Sequence, residues 1–264
     1  MKFKLLSLSF ALLVFFNSCS NDSKTSNTIS ESSDSLEVID PLADLTQYTE
    51  EDENNPSTIS SEKPEELVDV KTVIPNIIVK LKYATEDNFT GKVVPGYNGN
   101  TAYLHVELIK RLQQVQNELN TYNLGLVIYD AYRPQKAVNS FIEWAKDPND
   151  NLKKDKYYPN IKKEDLFKLG YIATRSKHSQ GFAVDVNYVI LETGEEVDMG
   201  TPFDFFGPKS SHSSLDITNQ HKANRNFLKN LMTKYGFEAY DQEWWHYSIS
   251  TNLNDNLYFN FDIE

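Results

Sequence analysis

The feature that most constrains this chain is a change in composition near residue 67. Residues 20–66 consist largely of Ser, Thr, Asn, Asp and Glu, and Tyr48 is their only aromatic residue. Such a segment cannot bury enough apolar surface to offset the entropy that ordering costs, so we predict a disordered tether. From Leu67 onward aromatic and β-branched residues are frequent, and residues 67–264 are numerous enough for one hydrophobic core. A single folded domain after a tether is the simplest organisation.

The charge follows the same division. Residues 20–66 hold 13 Asp and Glu against two lysines, and so carry −11 of the formal net charge of −12. The folded part is therefore close to neutral and offers no strongly basic face, so we expect no nucleic-acid partner. The single cysteine, Cys19, excludes an internal disulfide and a Cys-x-x-Cys metal site. The sequence carries no signal for an oligomeric state.

The N-terminus has the pattern of an export signal. Lys2 and Lys4 precede an apolar run, residues 5–16, which is too short to span a bilayer. This run matches the hydrophobic region of a secretory signal, so we predict that the protein is exported.

Ser18 and Cys19 follow the apolar run and resemble the end of a bacterial lipoprotein signal. The resemblance implies a signal peptide at residues 1–18, a lipid on Cys19 and a tether at residues 19–66. It also implies attachment to a bacterial membrane, on its periplasmic or outer-membrane side. The alternative is an ordinary secretory signal followed by an unrelated cysteine.

The folded part, residues 67–264, mixes strand and helix patterns. Strands are predicted over residues 76–83, 124–129 and 181–191. Helices are predicted over residues 108–120, from Pro134 to a stop at Pro148, and over 222–234 with Gly236 as C-cap. Strands and helices do not alternate strictly, and no Gly-rich phosphate loop follows a strand, so we predict a single domain of the α+β class. Residues 149–165 hold five lysines and predict a surface loop or short helix that forms one wall of a cleft.

Two candidate metal ligands flank the start of the last predicted strand. His178 precedes Gly181, which marks a turn into the strand, and Asp185 follows that turn. Val184 and Val186 point to one face of the strand, so Asp185 points to the other, away from the apolar layer. A carboxylate in that position needs a partner. Taken alone, however, His178 with Asp185 is more typical of a structural hydrogen bond than of a metal site.

A second candidate group is Glu243-Trp244-Trp245-His246. In a straight strand Glu243 and His246 would face opposite ways, but a turn or bulge before His246 would let both converge on one point. Trp244 and Trp245 are predicted to be core and cleft wall, where they would exclude water. Two histidines and one carboxylate suffice for a catalytic zinc, which leaves Glu243 to take a proton from the water.

Several ordered motifs resemble one enzyme family. Ser176-x-His178-Ser-x-Gly with Asp185, and Glu243-Trp-Trp-His246, resemble the zinc peptidases that act on D-alanyl-D-alanine, which share their fold with a hedgehog signalling domain. Three further stretches resemble the D-alanyl-D-alanine dipeptidases in particular. They are residues 83–91 (YATEDNFTG) with 95–97 (PGY), 130–134 (DAYRP) and 198–204 (DMGTPFD). The match runs from about residue 70 to residue 250, nearly the whole folded part.

The resemblance implies a central, largely antiparallel sheet flanked by helices, and one zinc ion per chain. The implied zinc ligands are His178, Asp185 and His246. Glu243 is implied as general base and then acid, and Arg133 as the charge that stabilises the tetrahedral intermediate. A guanidinium after a strand end, followed by Pro134, suits the role of a fixed donor to an oxyanion. The alternative for Arg133 is a surface residue that caps a helix.

The implied activity is hydrolysis of the dipeptide D-alanyl-D-alanine to two D-alanines. One alternative is a D,D- or L,D-carboxypeptidase or endopeptidase that acts on peptidoglycan stem peptides. Another is a zinc-stabilised binding module without turnover, which the hedgehog relation permits and which the presence of both Glu243 and Arg133 argues against.

Candidate substrate ligands lie beside these motifs. The resemblance places Ser176 near the substrate, where its hydroxyl could bind a carboxylate. Asp198 and Asp204 could pair with an ammonium group, although an Asp in such a Gly- and Pro-containing loop also caps turns. The remaining histidines have no carboxylate partner at ligand spacing and are predicted to be surface or helix-end residues. They are His105, His212 and His221.

Overall fold

The computed structural model describes residues 57–251 and 256–264. The predicted signal peptide, Cys19 and the tether as far as residue 56 lie outside the described residues. Within the described ranges, no helix is both long enough and apolar enough to cross a membrane.

The described residues form short strands and four α-helices. The strands are β1 (Thr58–Ser60), β2 (Leu67–Asp69), β3 (Ile78–Val79), β4 (Tyr103–His105), β5 (Leu124–Asp130), β6 (Ala183–Ile190), β7 (Glu238–Ala239), β8 (His246–Ser248) and β9 (Leu257–Phe259). The α-helices are α1 (Val106–Thr121), α2 (Gln135–Lys146), α3 (Lys154–Tyr157) and α4 (Asn219–Lys234).

A mixed sheet of five strands lies at the centre, in the order β3-β5-β6-β8-β7. β3 runs parallel to β5, and the other three pairs are antiparallel. Two smaller sheets pair β1 with β9 and β2 with β4. The predicted α+β class with a largely antiparallel sheet is confirmed.

The two central strands, β5 and β6, place polar residues at one end of the sheet. Most residues of both strands are buried, which explains their high content of Val, Ile and Leu. The register sets Asp185 of β6 opposite Asp130 of β5 on one side and opposite His246 of β8 on the other. A β-bulge between Ile128 and Asp130 shifts the pairing just before this row. Three polar side chains therefore meet where the strands end.

The three long helices match the sequence pattern closely. α1 buries the residues whose spacing predicted it, Leu108, Leu112, Val115 and Leu119. α2 begins at Gln135 with Pro134 as its N-cap, and it ends before Pro148. α4 begins earlier than residue 222, because the side chain of Thr218 accepts a hydrogen bond from the backbone N–H of His221 and so caps the helix. Gly236 follows α4 with a φ of +82°, the conformation expected at a helix end.

The predicted strand over residues 76–83 is mostly wrong. β3 spans only Ile78–Val79, and Lys82–Ala84 is a 3₁₀-helix. The side chain of Asn100 accepts a hydrogen bond from the N–H of Leu81 and donates one to the carbonyl of Val79. The Asn100 side chain thus bonds the backbone groups that a neighbouring strand would otherwise pair with, so the strand ends after Val79.

The predicted start of the folded part at Leu67 is too late. β1 pairs in parallel with β9, and the N–H of Asn260 donates to the carbonyl of Ser60. Backbone pairing of this kind does not require apolar side chains, so the polar composition of residues 57–66 gave no sign of it.

Residues 149–165 form the short helix α3 and a 3₁₀-turn, Lys163–Asp165, as the sequence suggested. Lys163 is buried here, and its ammonium group donates to the carbonyls of Asp147 and Asp150 and lies 4.0 Å from the ring centre of Trp144. This lysine holds the segment against α2.

Candidate active site

His178, Asp185 and His246 come together at the end of the central sheet. One potential ligand atom from each lies within 4.8 Å of the others. A carboxylate oxygen of Asp185 lies 3.3 Å from Nε2 of His178 and 3.0 Å from Nδ1 of His246. The two ring nitrogens are 3.2 Å apart. Three donor atoms that face one another in this way can hold a metal ion.

Local structure fixes the ring of His178. Its Nδ1 lies 2.7 Å from the carbonyl oxygen of Ala131 and donates to it, which turns Nε2 toward the shared centre. His178 sits in the 3₁₀-turn Lys177–Gln180, which ends at Gly181 with a φ of +78°. A Cβ on Gly181 would lie 2.1 Å from a methyl carbon of Leu67, so only glycine fits.

A turn brings Glu243 and His246 to the same centre, as the sequence predicts. The N–H of Glu243 donates to the carbonyl of Tyr240, and the N–H of His246 donates to the carbonyl of Glu243. The Glu243 carboxylate lies 4.0 Å from the His246 ring nitrogen. Trp244 and Trp245 between them are each 1% exposed, which anchors the turn in the core.

Arg133 lies over the metal-ligand group and is held from several sides. Its Nε donates to Asp130 at 2.9 Å, and its Nη2 lies 3.5 Å from Asp185. Its guanidinium lies 5.1 Å from the ring centre of Tyr83, and its backbone N–H donates to the carbonyl of His178. The alternative of a surface arginine is wrong, because only 15% of this side chain is exposed.

Asp130 and Tyr97 are site residues that the sequence reasoning missed. Asp130 is fully buried, and its second oxygen accepts a 2.6 Å hydrogen bond from the hydroxyl of Tyr97. The hydroxyl of Tyr97 therefore holds the Asp130 carboxylate in place, and this carboxylate orients Arg133. The available signal was an aspartate at the end of a buried strand, three residues before Arg133.

The metal-ligand group opens into a cleft of about 260 Å³. Functional side chains along its walls include Tyr83, Arg133, Ser176, Asp204, Tyr240 and Glu243. The segment 149–165 does not line this cleft. Its Lys156 and Tyr157 instead border a separate cavity of about 420 Å³, so the predicted cleft wall lies at that cavity.

Two of the three predicted substrate ligands lie in the cleft. Ser176 caps the 3₁₀-turn by accepting a hydrogen bond from the N–H of His178, which leaves its hydroxyl proton to donate. Asp204 is 5% exposed and accepts a 2.9 Å hydrogen bond from the hydroxyl of Tyr83. Its φ of +58° is unusual for a residue other than glycine.

Asp198 does not reach the cleft. Its carboxylate is exposed, accepts the N–H of Gly200 and lies 3.1 Å from Nε2 of His221. His221 thus has a carboxylate partner after all, because the loop folds back onto the first turn of α4. His105 caps α1 as predicted. His212 differs from the prediction, because both of its ring nitrogens are buried without a partner among the described residues.

The pKa values of the two carboxylates at the centre, Asp185 and Glu243, shift in opposite directions. Burial alone would raise the pKa of Asp185, but the imidazoles of His178 and His246 outweigh it and hold that pKa well below its usual range. Burial raises the pKa of Glu243 well above its usual range, and the nearby charge of Asp185 adds to this effect. Asp185 is thus a ready ligand, whereas Glu243 is suited to carrying a proton.

Comparison with known proteins agrees with this geometry. The family model described as D-ala-D-ala dipeptidase matches residues 63–264. The chain belongs to the D-Ala-D-Ala dipeptidase family. The family that the motifs suggested is therefore confirmed, and its members are zinc metallopeptidases.

Relatives in this family cover most of the folded part. A D-alanyl-D-alanine dipeptidase of Enterococcus faecium is 43% identical over 183 residues, which span 69% of this chain and 91% of the relative. One of Streptomyces coelicolor is 41% identical over 182 residues, with 69% and 90% covered. One of Escherichia coli is 32% identical over 184 residues, with 70% and 84% covered. A solved structure of the vancomycin resistance D,D-pentapeptidase VanY with Zn(II) is 15% identical, with a TM-score of 0.35, and 57% of this chain and 75% of that one are covered.

Proposed function

We propose that this protein hydrolyses the dipeptide D-alanyl-D-alanine to two D-alanines with one zinc ion per chain. The observation that carries the proposal is the convergence of His178, Asp185 and His246 with Glu243 and Arg133 on one small cleft. Membership of the dipeptidase family supports the same activity.

The donor set fits zinc. Two imidazoles and one carboxylate are a common catalytic zinc set that leaves a fourth position for water. The proton on Nδ1 of His178 is engaged by Ala131, so Nε2 is available as the ligand atom. A zinc ion held here would polarise the scissile carbonyl and lower the pKa of a bound water to about 7.

Glu243 moves the proton. Its carboxylate takes a proton from the attacking water and returns it to the nitrogen of the leaving D-alanine. Burial raises the pKa of the Glu243 carboxyl, so this group can hold the proton between the two transfers. The turn that holds Glu243 beside His246 keeps the carboxylate next to the reacting centre.

Arg133 stabilises the negative charge that develops on the carbonyl oxygen. Asp130 holds its Nε, so the remaining guanidinium N–H groups point to a fixed position over the metal-ligand group. A donor fixed in advance needs no reorganisation when the oxyanion forms.

The cleft favours a free dipeptide. Asp204 is a buried carboxylate whose only hydrogen-bond partner among the described residues is Tyr83, and burial raises its pKa. The substrate's ammonium group would supply the missing cation, while Ser176 would bind its carboxylate. In a longer stem peptide an amide replaces the ammonium group and leaves Asp204 without a cation.

Two rates test this proposal. Purified protein should release D-alanine from D-alanyl-D-alanine, lose this activity with a chelator and regain it with zinc. It should act far more slowly on a stem pentapeptide. Faster release from the pentapeptide would favour a carboxypeptidase or endopeptidase, and an inert protein with full zinc occupancy would favour a binding module.

We also propose that the protein is exported and lipid-anchored through Cys19 on the periplasmic or outer-membrane side of a bacterial membrane. The basic residues and apolar run before Cys19 support this location. Labelling with a radioactive fatty acid should mark the wild type but not Cys19→Ala. Equal labelling of both would refute the anchor.

A further inference from the structure

Arg225 of α4 is a buried cation outside the cleft. Its side chain is among the largest fully buried ones, with 1% of the residue exposed. Its hydrogen bonds among the described residues all end on uncharged oxygen atoms. They are the carbonyls of Met199 at 2.7 Å, Lys209 at 3.0 Å and Ser211 at 2.8 Å, and the hydroxyl of Thr201 at 3.4 Å.

All four acceptors belong to one loop, residues 199–211, and this loop carries Asp204. The loop has little regular structure beyond a 3₁₀-turn, Pro208–Ser210, so its backbone carbonyls need outside donors. Asp204 itself sits at a φ of +58°, a conformation that a non-glycine residue keeps only when its surroundings enforce it. Arg225 donates to carbonyls on both sides of Asp204 and so holds the backbone of Asp204 in this conformation.

The same loop is tied to the catalytic turn. Thr201 accepts a 2.9 Å hydrogen bond from the indole N–H of Trp244, and the backbone N–H of Trp244 donates to the carbonyl of Ser210. Trp244 follows Glu243 directly in the chain. The loop that bears Asp204 is therefore held between Arg225 and the turn that bears the proton carrier.

A buried guanidinium whose hydrogen bonds reach no carboxylate is costly, because its charge loses the surrounding water. Burial lowers the pKa of Arg225 to about 10, so the group stays charged at neutral pH. An apolar side chain would fill this space at lower cost, but it could not bind four oxygen atoms of one loop. The arrangement is understandable if the loop has to hold a defined shape.

We infer that Arg225 is a positioning residue for substrate recognition, which fixes loop 199–211 so that the Asp204 carboxylate meets the ammonium group of the dipeptide. The inference rests on the proposed function, since it assigns Arg225 a role through Asp204. Arg225 does not line the cleft and acts only through the loop.

A double-mutant cycle tests this role. Arg225→Met keeps the length of the side chain and removes every donor, and we expect KM for D-alanyl-D-alanine to rise roughly a hundredfold while kcat changes less. In the Asp204→Asn background the same substitution should change kcat/KM by no more than about twofold, because the contact that Arg225 serves is already lost. N-Propanoyl-D-alanine, which lacks the ammonium group, should be hydrolysed equally by wild type and Arg225→Met.

Controls separate positioning from general stability. Arg111→Met removes an arginine whose Nη1 donates to the carbonyl of Gly236, just beyond the C-terminal end of α4 and outside the loop, and it should leave KM unchanged. Zinc content should be the same in all variants. If Arg225→Met does not fold, Arg225→Lys and Thr201→Val take its place in the cycle.

The outcomes are distinct. Independent effects of the Arg225 and Asp204 substitutions, or an equal loss on the substrate without an ammonium group, would overturn the inference alone. A wild-type protein with full zinc that does not hydrolyse the dipeptide would overturn the proposed function and this inference with it.

Discussion

Asp130→Asn is the substitution that most sharply tests how the site positions Arg133. The Asp130 side chain is fully buried and accepts hydrogen bonds from Nε of Arg133 at 2.9 Å and from Tyr97 at 2.6 Å. The asparagine has the same shape and can still accept from Arg133, but it lacks the charge. A hydrogen bond between charged groups contributes about 1.5–3 kcal/mol. Losing most of it should lower kcat roughly 10- to 100-fold, since each 1.4 kcal/mol of barrier is about tenfold in rate.

Steady-state kinetics on D-alanyl-D-alanine would measure this loss, with zinc content determined on the same samples. KM should change little, because the charge that Arg133 meets develops only in the transition state. Tyr97→Phe is the matched smaller change, since it removes one hydrogen bond to Asp130 and leaves the charge of Asp130 in place. It should raise the activation barrier by about 1 kcal/mol. An Asp130→Asn variant with wild-type kcat, or with its whole loss in KM, would refute the role given to this ion pair.

Further predictions concern the metal, the oxyanion and pH. His246→Ala should contain little zinc when its metal content is measured by atomic absorption. Full zinc retention would exclude His246 as a ligand. Arg133→Ala should lose activity mainly in kcat, whereas a pure KM effect would make Arg133 a substrate anchor. Burial lowers the pKa of His212 to about 4, so its imidazole stays neutral while the unfolded chain takes up a proton near pH 6.5. The free energy of unfolding, measured with urea, should therefore fall by about 1–3 kcal/mol as the pH drops from 6.5 to 4. His212→Asn should reduce this dependence on pH, and an unchanged dependence would contradict the role given to His212.

The sequence contained the local part of the site. His178 and Asp185 lie on either side of one turn, and Glu243 and His246 lie three residues apart, so short motifs were enough to find them. The helices were also predictable, because their apolar spacing is local. Each of these features depends on neighbours along the chain.

The rest depends on contacts between distant segments. The register that sets Asp185 between Asp130 and His246 joins three strands, and no local pattern reveals it. Asp198 and Asp204 lie in one loop with similar local signals, yet only Asp204 turns into the cleft. The four hydrogen bonds from Arg225 that shape this loop come from a helix later in the chain.

Zinc titration into metal-free protein, for the wild type and for Glu243→Gln, tests the central claim most directly. D-Alanine release by the wild type should rise with zinc and level off at one ion per chain. Glu243→Gln should bind the same amount of zinc and lose several orders of magnitude in kcat, because the proton carrier is gone. A Glu243→Gln variant that binds zinc fully and retains near-normal activity would contradict the account.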